Sequence, residues 1–108
     1  MTPSEARIVL MTAPDAEVGA GLGRVLVEER LAACVNLLPG VRSIYRWEGR
    51  IEEEGEVLLV AKTTRDRCEA LAARVEALHP YELPEVVVLP VAGGSHRYLA
   101  WILAECPS

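Results

Sequence analysis

Between residues 31 and 64 two long runs rich in Val, Ile, Leu and Tyr flank Glu48-Gly49. In the first, Val41, Ser43, Tyr45 and Trp47 fall on one face and Arg42, Ile44, Arg46 and Glu48 on the other, the period of two expected of a half-buried strand. An acidic residue followed by glycine is a two-residue hairpin signal, because glycine tolerates positive φ. The segment is therefore predicted to form one long hairpin. Its first arm is interrupted at Pro39-Gly40, and because proline cannot donate to a ladder, a bulge or an edge is expected there. Typical strands run to roughly five or six residues, so the outer half of this hairpin is expected to project beyond its own sheet. A projecting arm that ends in Tyr45 and Trp47 calls for a partner.

The flanking patterns supply the rest of a sheet and its helices. Ile8-Val9-Leu10-Met11 is a short continuous apolar run, which suits a buried central strand. Pro14, Asp15 and Glu17 then provide helix-start chemistry, and Val18, Leu22, Val25, Leu26 and Leu31 make an apolar stripe for a helix reaching to about Arg30. Gly19, Gly21 and Gly23 lie inside that helix and weaken it by roughly 1 kcal/mol each relative to alanine, so packing has to carry it. A second helix is predicted from Arg65-Asp66, with Leu71, Ala72, Val75 and Leu78 inward and His79-Pro80 as its stop. Residues 85–91 read as a fourth strand with Pro90 at an edge, and Ser95 as the N-cap of a last helix carrying Leu99, Ile102 and Leu103 inward. The order is β-α-β-β-α-β plus a C-terminal helix, the ferredoxin-like split βαβ arrangement, an α+β class with an antiparallel sheet. Both main helices then cover one sheet face, and self-association is the economical cover for the other.

Composition narrows the function classes. At 108 residues the chain reads as a single domain, residues 1–108, with 51% hydrophobic and 25% charged residues, which excludes disorder. A formal net charge of −5 denies it the basic field that nucleic-acid binding needs. No apolar run approaches the roughly 18 residues of a membrane span, and the first residues have no leader-like pattern, so a cytoplasmic protein is expected. Cys34, Cys68 and Cys106 are widely spaced with no CxxC, as expected of reduced thiols rather than a disulfide framework or zinc knuckle. Gly19-Ala20-Gly21-Leu22-Gly23 is no dinucleotide loop, since Arg24 occupies a required glycine position. No Ser/His/Asp arrangement has a motif around it, so an enzyme is not expected.

Several separated motifs resemble one family along nearly the whole chain. They are Val27-Glu28-Glu29-Arg30-Leu31-Ala32-Ala33-Cys34-Val35-Asn36, then Pro39-Gly40, Ser43, Tyr45 and Trp47, then Glu56, Leu58 and Lys62-Thr63, then His79-Pro80-Tyr81-Glu82 with Pro84-Glu85, and finally Tyr98-Leu99 with Trp101. In this order they resemble the CutA family of divalent-cation tolerance proteins. The resemblance implies a ferredoxin-like fold, a homotrimer with architecture similar to PII signalling proteins, and a cytoplasmic role in tolerance of copper or other divalent metals.

Two sets of candidates follow. Cys34 offers a soft donor suited to Cu(I), though a free cysteine is most often a small buried hydrophobe. His79 and His96 are the only imidazoles, so a histidine-rich site must be shared between subunits, and His79 at a helix end has a structural alternative. Cys34 and His79 are the expected metal ligands, with interface carboxylates. The acidic run Glu52, Glu53, Glu54 and Glu56 matches no calcium loop and reads as a solvated edge with weak cation affinity. The second set is Lys62, Tyr81, Glu85, Tyr98 and Trp101, expected to converge in a cleft. Lys62 is the only lysine in a chain whose other strong bases are arginines, and a compact ammonium suits an anion. Two functions are therefore carried forward, a trimeric metal-binding tolerance protein and a PII-like sensor or anchoring module that binds a small anion between subunits and signals to a protein partner.

Overall fold

The computed structural model describes residues 5–107. Its elements are β1 (Ala6–Ala13), α1 (Ala16–Glu28), β2 (Cys34–Trp47), β3 (Arg50–Thr64), α2 (Cys68–Leu78), β4 (Val87–Pro90) and α3 (His96–Glu105), with a 3-10 turn over Arg65–Arg67 before α2. The strands make one antiparallel sheet in the order β2-β3-β1-β4. This is the ferredoxin-like order that the hydrophobic pattern predicts.

The hairpin is built as its sequence dictates. Glu48 and Gly49 both take positive φ, 49° and 79°, which twists the turn to match its strands. The register of β2 against β3 shifts between Leu38 and Val41, where Gly40 has φ 81°, so the Pro39-Gly40 break is a bulge. β1 reaches along β3 only as far as Val57, so residues 50–56 pair with β2 alone and project from the sheet. The arm gives the molecule extents of 45 × 25 × 22 Å.

Alternation along the strands divides the sheet into two faces. Val9, Met11 and Ala13 of β1 and Val57, Leu59 and Ala61 of β3 form one face, closed by Leu22 and Leu26 of α1 and Leu71 and Val75 of α2. Gly19 and Gly23 belong to this buried seam, contrary to a reading of them as mere weak points in α1. A Cβ at Gly19 would lie 3.2 Å from Leu37 Cδ2, and one at Gly23 would lie 3.3 Å from Val35 Cγ1. The glycines let α1 approach β2 closely, and burial of Leu22 and Leu26, about 1.5–3 kcal/mol each, offsets their low helix propensity. Asp15 caps the helix, its side chain accepting from the Val18 N–H at 2.8 Å. Leu78 departs from its expected place: it is exposed, because α2 breaks at His79 before that turn reaches the sheet.

Ile8, Leu10, Leu58, Val60, Val87 and Leu89 alternate onto the opposite face. α3 covers only one end of it, where Leu99, Ile102, Leu103 and Cys106 pack on Ala6 and Ala33. Ser95 caps this helix by accepting from the Tyr98 N–H, as expected from its position. The rest of the face is open, with Leu38, Val87 and Leu89 each more than 40% exposed.

Candidate functional site

The break at His79-Pro80 positions the first cluster. His79 is buried, and its Nδ1 accepts from the Tyr81 N–H at 3.1 Å, so Nε2 bears the hydrogen and donates to the Thr12 carbonyl at 2.7 Å. The imidazole thereby ties the loop after α2 to the end of β1. Its ring lies 4.5 Å from that of Tyr81, centroid to centroid. Tyr81 in turn donates its hydroxyl hydrogen to Glu56 Oε2 at 2.8 Å, and burial together with this carboxylate raises the phenol well above its ordinary range. Tyr45, on the hairpin, is raised likewise by desolvation and by Glu54.

Between this loop and the hairpin lies an open groove of 890 Å³. Tyr45, Trp47 and Tyr81 give it aromatic walls, and Glu52, Glu54, Glu56, Glu82 and Glu85 give it acidic ones, against the single basic side chain of Arg46. None of these five carboxylates has a salt bridge among the described residues. Such a groove favours cations and groups that stack on aromatic rings.

A second cluster sits at the other end of the open face. Lys62 lies opposite Cys34 in the β2–β3 ladder and donates to Asn36 Oδ1 from its ammonium. The same ammonium is 5.9 Å from the centre of the Tyr98 ring, which lies 5.5 Å from that of Trp101. The half-buried Cys34 thiol points toward Asn36 Oδ1, 3.9 Å away.

The five residues expected to converge thus fall into two separate groups. Lys62, Tyr98 and Trp101 are together, whereas Tyr81 and Glu85 line the groove. Glu56 and Lys62 stand six residues apart on one strand face, roughly 20 Å. The two expected metal ligands are also separate. His79 has both ring nitrogens engaged with backbone groups, at Thr12 and Tyr81, so in this conformation it offers no free lone pair to a metal. Among the described residues no three His, Cys, Asp or Glu side chains gather as a metal site. Cys68 donates to the Thr64 carbonyl, Cys106 is packed with α3, and burial raises both thiols above their ordinary value. Asn36 and Glu56 contact the candidate residues in ways the pattern does not show, Asn36 having no candidate role in the sequence reading and Glu56 being read there only as part of the acidic run. Asn36 is reached only through the cross-strand register and Glu56 only through the folded loop.

Comparisons with known proteins agree with this architecture. Residues 7–105 match the family model described as CutA1 divalent ion tolerance protein. A divalent-cation tolerance protein CutA of Thermus thermophilus is 53% identical over 95 residues, covering 88% of this chain and 92% of that protein. A human protein CutA is 45% identical over 100 residues, and the match spans 93% of this chain but 56% of the human protein. Among solved structures, a divalent cation tolerance protein (Cut A1) of Thermus thermophilus superimposes with a TM-score of 0.92 at 49% identity, covering 94% of this chain and 99% of that one. The CutA crystal structure from Xylella fastidiosa gives 0.93 at 44% identity, covering 96% and 100%.

Proposed function

Because the chain belongs to the CutA1 divalent ion tolerance family, we propose that it serves divalent-cation tolerance as a homotrimer that binds copper or a related metal ion at sites shared between protomers. One observation carries this reading: the family is one of divalent ion tolerance, and the half-buried Cys34 thiol and the groove carboxylates supply soft and hard donors on the protomer's surface. In the trimeric reading a second chain would complete the coordination shell, since no three such ligands gather among the described residues. The open apolar face supports association, since monomers seldom leave such a continuous surface to water. When bound, Cu(I) would draw on the Cys34 thiolate, and a harder divalent ion on carboxylate oxygens.

Titration of Cu(I) and Cu(II), separately, into demetallated protein against a competing chelator tests the reading. Saturable uptake at one ion per protomer or per trimer, lost in Cys34→Ser, is the expected result. Weak uptake that never saturates and ignores Cys34 contradicts it.

A sensor function is the second reading, favoured by Lys62. Its ammonium has no carboxylate within salt-bridge distance among the described residues and meets only Asn36 and the Tyr98 ring. A cation so placed suits a small anion. Calorimetric titration with inorganic phosphate should then show binding that Lys62→Ala abolishes; heat unchanged by that substitution rejects this reading.

A further inference from the structure

We infer that Tyr81 is a latch on the groove: its hydroxyl holds Glu56, and a hard divalent cation that claims this carboxylate frees the loop between α2 and β4. On the reading of the groove carboxylates as metal donors, on which it rests, the latch is the regulation of that site.

The loop is tied at both ends and held in the middle by one bond. Residues 79–86 join α2 to β4 without helix or strand. At the near end, buried His79 donates to the Thr12 carbonyl and accepts from the Tyr81 N–H. At the far end Val86 packs against the core. Between these anchors Leu83 is 68% exposed, and the Tyr81 hydroxyl on Glu56 Oε2, at 2.8 Å, is the one hydrogen bond that ties the loop to the hairpin among the described residues. Burial and the carboxylate both keep the proton on this phenol, so the latch is closed when no ion is bound.

The carboxylates explain what opening would accomplish. Five of them line the groove, yet among the described residues no three His, Cys, Asp or Glu side chains gather as a metal site. Glu54 and Glu56 alternate onto one face of β3 and are fixed to the hairpin, whereas Glu82 and Glu85 ride on the loop. A hard divalent cation draws several oxygens into one shell, and it gains those of Glu82 and Glu85 only when the loop moves. An ion shifts a conformational equilibrium only by binding one state better than the other. The additional loop oxygens supply that difference, and the Tyr81–Glu56 bond is what the ion must displace to reach them.

The movement has an outlet in the sheet. The loop runs directly into β4, which lies at the sheet edge beside β1 and is exposed along its length. Because His79 keeps the near end on β1, displacement of residues 80–85 is directed toward that edge strand. Uptake of an ion and the position of an edge strand are thereby coupled within one protomer.

Mn(II), which suits carboxylate oxygen, is the probe. Calorimetric titration should show Tyr81→Phe binding Mn(II) about tenfold more tightly than the wild-type chain, because no hydrogen bond to a charged group has to be broken first. In a Glu56→Gln background the presence or absence of the Tyr81 hydroxyl should make no difference. Weaker binding by Tyr81→Phe would make the hydroxyl a support for a metal-bound carboxylate and overturns the latch, as does equal affinity; both leave the metal reading standing. Absence of Mn(II) and copper uptake in wild type and Tyr81→Phe alike overturns the latch and the metal reading together.

A second measurement uses the unaltered side chain. A phenol that donates to a carboxylate absorbs at longer wavelength than one released from it, so Mn(II) should shift the near-ultraviolet tyrosine band of the wild-type chain to shorter wavelength, saturating with the calorimetric binding. The shift should be missing from Tyr81→Phe. Mn(II) that binds without moving the band, or that moves it equally in both proteins, contradicts the proposal.

Discussion

Tyr81 shows how one hydroxyl reports on the groove. Its bond to Glu56 and its burial keep the phenol protonated beyond the range of a free tyrosine. In linkage terms the folded chain holds a proton that the unfolded chain releases near pH ~10. The associated stability is fully present below that value and is lost as pH rises further toward the folded value. Urea unfolding across the alkaline range should therefore show a decline that Tyr81→Phe flattens, while the same variant loses about 1 kcal/mol at neutral pH for want of the hydrogen bond. An alkaline decline identical in both proteins would contradict the assignment. At this scale the sequence was only partly legible. Lys62 stands out as the sole lysine, yet its bond to Asn36 depends on a cross-strand register that spacing cannot supply. His79 was legible as a helix stop and illegible as a clamp, because its partners Thr12 and Tyr81 meet only after the loop closes on β1.

At the scale of elements, the glycines of α1 separate propensity from packing. A Cβ added at Gly21 would meet nothing within 4 Å, whereas at Gly23 that carbon would already press on Val35. Gly21→Ala should raise stability by about 0.5–1 kcal/mol, the usual gain from a better helix former. Gly23→Val should lower it by about 1–3 kcal/mol, since α1 must back away from β2. Thermal unfolding of the two variants checks both, and destabilisation by Gly21→Ala would show that the close approach involves the whole glycine run. The hairpin, the helix start at Asp15, the Ser95 cap and the individual strands were legible because each depends on local chemistry: a turn that needs positive φ, acidic or capping side chains at the first helical turn, a period of two. The buried role of Gly19 and Gly23 was not, because it is set by Val35 and Leu37 on a neighbouring strand.

For the whole molecule, the decisive feature is a sheet with one face closed by α1 and α2 and the other only partly covered by α3. The split β-α-β layout already predicts that asymmetry. The separation of Lys62 from Tyr81 and Glu85 was beyond the sequence, since two groups of side chains on one face resemble a single cleft until their distance along β3 is known. Within the proposed assembly the coordination shell is completed by another copy, and metal binding and association become one property. Native mass spectrometry of demetallated protein during copper addition tests this most directly. The account predicts a species of three protomers that takes up copper to a fixed stoichiometry, while protomers released by mild dissociation retain none. Monomers that bind copper as tightly as the assembly, or an assembly that takes up none, would contradict it.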